Sequence, residues 1–191
     1  VRFMFLVVAL AFTSVVSGKV LTKVSSPDGM LILTTGITQQ GQPYYQLQRG
    51  KRQLIQPSLL GLQLKDGALD EDFRVLGFTR ATKDETWQQP WGEETSVRNH
   101  YNELTMQLKQ RTAQGRLLNI VFRVFNDGIG FRYVFPRQPQ LTDFVIMNEE
   151  TQFAFPFDAQ TWSIPTEGTH YYEALWTASP LSKKPKVSTP I

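Results

Sequence analysis

Apolar and polar residues alternate over short stretches along most of the chain, which is the pattern of half-buried β-strands. The clearest case is NELTMQLKQ, residues 102–110, which places Leu104, Met106 and Leu108 on one face and polar side chains on the other. Turn residues separate such stretches, as in SPDG at residues 26–29. No segment has a helical period of useful length. The pattern therefore predicts an all-β protein folded as an antiparallel β-sandwich.

One hairpin is predicted in more detail, from the segment IVFRVFNDGIGFRYVF at residues 120–135. Asn, Asp and Gly at 126–128 tolerate the backbone angles of a tight turn, so the chain should reverse there, in a hairpin central to the sandwich. We expect the apolar residues of its two strands to form one core face by pairing Val124 with Phe131, Phe122 with Tyr133, and Ile120 with Phe135.

The same register places Arg123 opposite Arg132 on the other face, where like charges repel modestly. A three-residue loop would separate the two arginines but would mix Arg123 into the apolar face. Burial of each apolar side chain is worth ~1.5–3 kcal/mol, which favours the register with facing arginines. A carboxylate shared by the two, or water, would then satisfy them.

The first eighteen residues, VRFMFLVVALAFTSVVSG, have the layout of a secretory signal peptide. One positive charge precedes a short apolar run, and the small residues Ser17 and Gly18 end it. A buried strand or a membrane anchor is the alternative. We expect a signal peptide at 1–18, a β-sandwich domain at 19–191, and a periplasmic or secreted protein.

Composition limits the chemistry. The chain has 191 residues, a formal net charge of +3, two histidines and no cysteine. Disulfides, thiolate zinc sites and three-histidine zinc sites are therefore excluded for this chain alone. Oxygen ligands would have to hold any metal, which favours calcium or magnesium. The basic residues are dispersed and do not alternate with aromatic residues along one face, so nucleic acid is not an expected partner.

Two glutamate doublets, Glu93-Glu94 and Glu149-Glu150, are candidates for acid–base pairs. Adjacent residues on a strand point to opposite faces, so neither doublet makes such a pair by itself. Both are expected at turns or strand edges, with solvated charges.

Glu173 differs because it lies among aromatic residues in HYYEALW, residues 170–176. Burying an unpaired carboxylate is costly, so Glu173 needs a partner. The partner is either a metal ion or an arginine of the sandwich, such as Arg123 or Arg132.

Two tryptophans, Trp87 and Trp91, bracket a proline in ETWQQPWGEE, residues 85–94. Sugar rings stack on indole, and neighbouring carboxylates and amides suit their hydroxyls. We assign sugar binding to Trp87 and Trp91 with Glu93 and Asn102. The alternative, that the tryptophans plug the end of the core, is equally compatible with the composition.

Several motifs together resemble one known family. SSPDG, SLLGLQL, DETWQQPWGEETSVRNHYNEL, FRVFNDGIGFRY and HYYEALW follow the order and spacing of the N-terminal domain of glycoside hydrolase family 97. The resemblance runs from about Ser25 to the C-terminus. It implies a galactose-mutarotase-like β-sandwich (a super-sandwich) that binds carbohydrate and precedes a (β/α)8 barrel. That barrel hydrolyses α-glucosides or α-galactosides with calcium at its active site.

The resemblance also implies a role for Glu173, because one glutamate of the family's sandwich joins barrel carboxylates around the calcium. The acid and base belong to the barrel, so this chain alone is expected to be inactive, and its sandwich is expected to be incomplete at the C-terminal end. One rival hypothesis is a self-contained enzyme, either an epimerase that uses His170 and a glutamate or a glycanase that uses two glutamates. Another is a structural domain that binds only a protein partner.

Overall fold

The computed structural model describes residues 18–164 and 175–184, which form thirteen β-strands, one short 3-10 helix at Leu181–Lys183 and no α-helix. The predicted all-β class is confirmed. The strands are β1 (Gly18–Ser25), β2 (Leu31–Thr38), β3 (Pro43–Arg49), β4 (Arg52–Leu59), β5 (Leu62–Leu64), β6 (Gly67–Leu69), β7 (Phe73–Gln88), β8 (Ser96–Gln110), β9 (Leu117–Val124), β10 (Ile129–Val134), β11 (Ile146–Glu149), β12 (Gln160–Ser163) and β13 (Thr177–Pro180).

Two four-stranded antiparallel sheets face each other across one core. Their strand orders are β1-β2-β3-β4 and β10-β9-β8-β7. Strand β2 contacts β7 and β9, and β1 contacts β8, so the two sheets are stacked. Leu33 and Tyr45 of the first sheet and Leu104 and Phe122 of the second are fully buried in the same cluster. The predicted antiparallel β-sandwich is confirmed.

The alternation along β8 explains how this core forms. Leu104, Met106 and Leu108 are fully buried, and the polar residues between them lie on the other face of the sheet, which is called the outer face below. Burial of each such side chain contributes about 1.5–3 kcal/mol to the free energy of folding. A slip of one residue would expose all three, so the register of this strand is strongly specified.

A third sheet, in the order β11-β5-β6, contributes to the same core through the buried side chains of Leu62, Leu64 and Leu69. Buried Arg116 ties it to the main sandwich by donating to the Gln110 side-chain oxygen at 2.7 Å and to the Gly67 carbonyl at 3.4 Å. Burial lowers the pKa of this guanidinium. The last two strands, β12 and β13, pair antiparallel with each other.

The β9–β10 hairpin forms as predicted, but its register is shifted. Phe131 pairs with Phe122, and Tyr133 pairs with Ile120. The Phe125 N–H donates to the Gly128 carbonyl at 2.8 Å, which closes a two-residue loop at 126–127. The predicted pairs were therefore wrong by two residues. The predicted core face is nevertheless right, because a shift of two keeps every side chain on its face.

The predicted pairing of Arg123 with Arg132 was also wrong. Arg123 lies opposite Gly130, and Arg132 lies opposite Val121, which removes the direct opposition of like charges. Strand β9 is internal to its sheet as expected, whereas β10 lies at the edge of the four strands.

The predicted leader lies outside the described residues except for Gly18, where β1 begins. Within 18–164 and 175–184, no helix is long and apolar enough to cross a membrane.

Candidate functional site

The candidate residues Trp87, Trp91, Glu93 and Asn102 all belong to the long β7–β8 hairpin. Its ladder runs from the pair Phe73–Gln110 to the pair Gln88–Ser96. Strand β9 covers β8 only as far as Asn102, which pairs with Val124. Beyond that point, residues 83–88 and 96–101 form a two-stranded ribbon that extends past the neighbouring strand. We call this part the ribbon.

Trp91 and Glu93 lie in the loop at the tip of the ribbon. The Gln89 N–H donates to the Thr95 carbonyl at 3.0 Å, and the Gln89 side-chain amide donates to the Glu94 carbonyl at 2.6 Å. Trp91 is 83% exposed, and Glu93 is exposed beside it. Trp91 therefore does not plug the core, and its ring is available to a ligand.

Trp87, the penultimate residue of β7, lies on the outer face of the ribbon and is 46% exposed. The same face carries Glu85, which accepts from the Asn99 amide at 2.9 Å and pairs with the Lys83 ammonium at 2.7 Å. The hydrogen bonds from Lys83 and then Asn99 lower the pKa of Glu85, and the bond to Glu85 raises the pKa of Lys83. The sequence reasoning missed these polar neighbours, although the alternation through TKDETWQ, residues 82–88, contained the signal.

Aromatic and charged residues fix the base of this face. The Arg123 Nε donates to Glu103 Oε2 at 2.8 Å, and the guanidinium carbon lies 4.5 Å from the centroid of the Tyr101 ring. That ring in turn lies 5.2 Å from the ring of Phe125. The hydrogen bond to Glu103 raises the pKa of Arg123. The carboxylate partner expected for Arg123 is thus Glu103.

Asn102 is separated from the tryptophans. It lies five ladder positions from Val97, the partner of Trp87, which at about 3.3 Å per residue is roughly 17 Å, and the alternation places it on the opposite face. Its side chain accepts from the Thr82 hydroxyl at 2.8 Å and donates to the Ser25 carbonyl at 2.9 Å. The structure therefore does not bring Asn102 together with the other three. Its role in sugar binding stays a prediction.

The ribbon carries an ionic cluster on the same face of the hairpin as Asn102, nearer the tip. Arg98 donates to both oxygens of Asp84 at 2.8 Å, and His100 Nε2 lies 3.9 Å from the same carboxylate. The hydrogen bonds from Arg98 lower the pKa of Asp84. This cluster holds the two strands of the ribbon together from one side.

The glutamate doublets behave as expected, since all four residues are exposed. Glu149 accepts from the Thr151 hydroxyl at 2.6 Å, and Glu150 accepts from the Asn148 amide at 2.6 Å. Glu173 and His170 lie outside the described residues. Among residues 18–164 and 175–184, no group of three or more His, Cys, Asp or Glu side chains is arranged to hold a metal ion.

Comparison with protein families gives a match that covers most of the chain. The family described as glycosyl-hydrolase 97 N-terminal matches residues 24–191. Two similar curated proteins are a retaining α-galactosidase of Bacteroides thetaiotaomicron, 32% identical over 142 residues, and a probable retaining α-galactosidase of Streptomyces bingchenggensis, 28% identical over 117 residues. The matched parts are 74% and 61% of this chain and 20% and 18% of those proteins. The chain therefore matches only about a fifth of each relative's length.

Solved structures agree with the family match. A glycoside hydrolase family 97 enzyme from a Pseudoalteromonas species, in complex with panose, matches with a TM-score of 0.79 and 31% identity, over 85% of this chain and 25% of the enzyme chain. The complex of such an enzyme with acarbose gives a TM-score of 0.78 over 84% and 24%. A β-arabinopyranosidase matches with a TM-score of 0.78 and 25% identity, over 87% and 28%.

Proposed function

Because this chain belongs to the glycosyl-hydrolase 97 N-terminal family, we propose that it is the non-catalytic, sugar-binding sandwich of an α-galactoside or α-glucoside hydrolase. Its task is to support a catalytic barrel and to present sugar-binding groups near it. The single observation that carries this proposal is the match of the sandwich to one quarter of a family 97 enzyme chain whose complex contains panose.

The outer face and tip of the ribbon are the proposed sugar contacts. Exposed Trp87 and Trp91 offer indole faces to the C–H faces of a pyranose, and Glu93 and Glu85 offer carboxylates to its hydroxyls. Asn102 is included as a sugar contact only if the bound sugar also reaches the opposite face.

Glu173 is proposed as a calcium ligand that acts together with the barrel. Calcium takes six to eight oxygen ligands, and one carboxylate supplies one or two of them. The described residues contain no cluster that would supply the rest. The resemblance of YYE, residues 171–173, to the family's ligand position supports this assignment.

Export to the periplasm or outside the cell completes the proposal. It is supported by the signal-peptide layout of residues 1–18.

The non-catalytic role is tested with aryl α-galactosides and aryl α-glucosides. We expect the purified chain to release no aryl group above the buffer rate and to leave the mutarotation of α-glucose unchanged. Turnover of either substrate, or faster mutarotation, would instead favour the self-contained enzyme.

Sugar binding is tested by titrating galacto- and gluco-oligosaccharides while tryptophan fluorescence is recorded. We expect Trp91→Ala and Trp87→Ala each to weaken binding by up to roughly tenfold, because a stacked aromatic contact is worth about 0.5–1.5 kcal/mol beyond the area it buries. Trp162→Ala is the matched control, because Trp162 is also exposed but lies on β12. Equal affinity in all variants would refute the ribbon as the site. A loss in Asn102→Ala would show that sugar spans both faces.

A further inference from the structure

Three cations line one cleft at the end of the β7–β8 hairpin opposite the tip. Arg74 and Lys109 are direct cross-strand partners, and Arg111 follows where β8 ends. The cleft measures about 520 Å³, and its other polar lining includes Thr112, Gln114 and Gln140. Directly opposed like charges destabilise a β-ladder unless something compensates them.

The local backbone holds these cations in place. The Arg111 side chain donates to the Phe73 carbonyl at 3.1 Å, and its N–H donates to the Asp72 carbonyl at 2.8 Å. Gly115 adopts a positive φ of 58°, and a Cβ atom there would lie 3.0 Å from Lys109 Cε. The glycine therefore allows the Lys109 stem to pass over the 111–115 turn. These contacts hold the Arg111 side chain and the Lys109 stem, whereas Arg74 is placed only by its pairing with Lys109 in the ladder.

Among the described residues, the cations of this cleft form no ion pair, in contrast to the paired charges of the ribbon. Every ion pair found in the described residues lies in the ribbon or at its base, and none includes Arg74, Lys109 or Arg111. Buried Arg116 donates to the side chain of Gln110, a lining residue, and forms no ion pair either, although the charge of Asp66 acts on it. Glu71 and Asp72, whose backbone carbonyls accept from Gln110 and Arg111, form no ion pair with any described residue.

We propose that the Arg74–Lys109–Arg111 cleft is an oxyanion-binding site, which holds a sulfate or carboxylate group carried by a sugar chain. Two guanidinium groups offer planar pairs of donors, and the lysine adds a point charge, which together suit a compact anion with several acceptor oxygens. Side-chain amides and a hydroxyl in the lining supply further polar contacts. Among the described residues, those that line the cleft include no aromatic ring that could stack on a base, which disfavours a nucleic acid.

That a sugar carries the anion rests on the proposed function, whereas the binding of an oxyanion in the cleft does not. The oxyanion site and the sugar carrier can therefore be tested separately. The whole 191-residue chain is titrated by calorimetry or NMR with inorganic sulfate, with a sulfated galacto-oligosaccharide and with the same oligosaccharide without sulfate. We expect sulfate and the sulfated sugar to bind, with the sulfated sugar tighter, and both affinities to fall as salt rises toward about 0.3 M.

Matched variants locate the site. Lys109→Gln and Arg74→Gln should each weaken binding of inorganic sulfate roughly tenfold, as expected when a hydrogen bond to a charged group is lost. Lys51→Gln, which removes an exposed lysine from the β3–β4 turn, should leave it unchanged. Arg74→Gln should also raise the unfolding temperature in the absence of anion, since it relieves the opposed charges. If Arg74 had only a structural role, Arg74→Gln would instead lower the unfolding temperature.

The outcomes separate the site from its ligand. Sulfate affinity that ignores both Lys109→Gln and Arg74→Gln overturns the site. Equal binding of the sulfated and neutral sugars overturns the glycan as the carrier of the anion. Loss of sulfate binding in these variants with unchanged binding of neutral sugar supports the site and leaves the proposed ribbon contacts intact. Failure of the proposed sugar contacts at Trp87 and Trp91 would not affect the sulfate result.

Discussion

The guanidinium of Arg123 lies against the ring of Tyr101, with its central carbon 4.5 Å from the ring centroid. Arg123 belongs to β9, and Tyr101 lies at the first position of β8 beyond the pair Asn102–Val124. The contact therefore joins the base of the ribbon to the main sheet, where the ladder itself no longer does. A two-stranded ribbon alone is marginally stable in water, so this anchoring determines how well the sugar-binding candidates are positioned.

We expect a measurable coupling between Arg123 and Glu103. Their side chains are 39% and 21% exposed, so the pair is only partly screened by solvent. A double-mutant cycle with Arg123→Gln and Glu103→Gln should give a coupling of about 0.5–1 kcal/mol in the free energy of unfolding, and less at high salt. The exposed Lys83–Glu85 pair is the control, and its coupling should be smaller. Equal couplings in the two cycles would contradict the anchoring role.

Removal of the Phe122 ring should destabilise the fold far more than any change at the tip of the ribbon. The ring is fully buried and lies 6.0 Å from the Phe131 ring and 6.3 Å from the Tyr45 ring. Phe122→Ala should lower the free energy of unfolding by about 3–5 kcal/mol in urea denaturation. Trp91→Ala, at the exposed tip, should change it by no more than about 0.5 kcal/mol. A similar loss in both variants would mean that the tip is packed rather than exposed.

The sequence predicted the faces of the strands better than their pairing. Alternation places Phe122, Val124 and Phe131 on the core face in both the predicted and the observed register, because the two differ by two residues. The correct register depends on the exact closing pair of the turn, here Phe125 and Gly128, and the residues at 126–128 tolerate either closure. The repulsion of Arg123 and Arg132 favours the observed register, but a solvent-screened repulsion alone is too weak to decide between the two from the sequence.

The candidate site was predicted only in part, for a different reason. The tryptophans and Glu93 were recognised because exposed indole is unusual, and the structure places them at one end of one hairpin. Asn102 was grouped with them because it is near in sequence. A hairpin ladder, however, separates residues along its length and between its faces, and only the pairing of Trp87 with Val97 reveals that separation.

Acid should loosen the ribbon before the core. The hydrogen bonds from Arg98 hold the pKa of Asp84 below its ordinary value of 3.8. A carboxylate with a lowered folded-state pKa stabilises the fold fully above its unfolded pKa, and this contribution is lost as the pH falls through the folded value. Protection factors for amide hydrogen exchange at residues 83–88 and 96–101, which correct for the intrinsic pH dependence of exchange, should therefore fall more than those in β2 as the pH falls below about 3.8. Asp84→Asn should remove much of that extra loss of protection. Unchanged pH dependence in this variant would refute the cluster's role.

Alkali should destabilise the core through Tyr45. Burial raises the pKa of this phenol from 10.0 to about 12, and its hydroxyl donates to the Gln152 carbonyl at 3.0 Å. A group whose folded pKa is raised stabilises the fold fully below its unfolded pKa, and the contribution is lost as the pH rises through the folded value. The free energy of unfolding should therefore fall between pH 10 and about 12, and the fall should be shallower in Tyr45→Phe. Identical profiles for both proteins would show that Tyr45 ionises equally in the folded and unfolded states.

Two glycines should respond in opposite directions to the same substitution. A Cβ atom at Gly130, in β10, would meet no heavy atom within 4 Å, and glycine within a strand costs about 0.5–1 kcal/mol relative to alanine. Gly130→Ala should therefore stabilise the protein by about that amount. Gly41 has a φ of 82°, and a Cβ atom there would lie 2.6 Å from both the backbone N and the backbone O of Phe73. Gly41→Ala should cost at least about 2 kcal/mol, because the neighbouring atoms are backbone and cannot rotate away. Urea denaturation of the two variants tests this, and a loss of stability in Gly130→Ala would indicate that the space beside Arg123 is already filled.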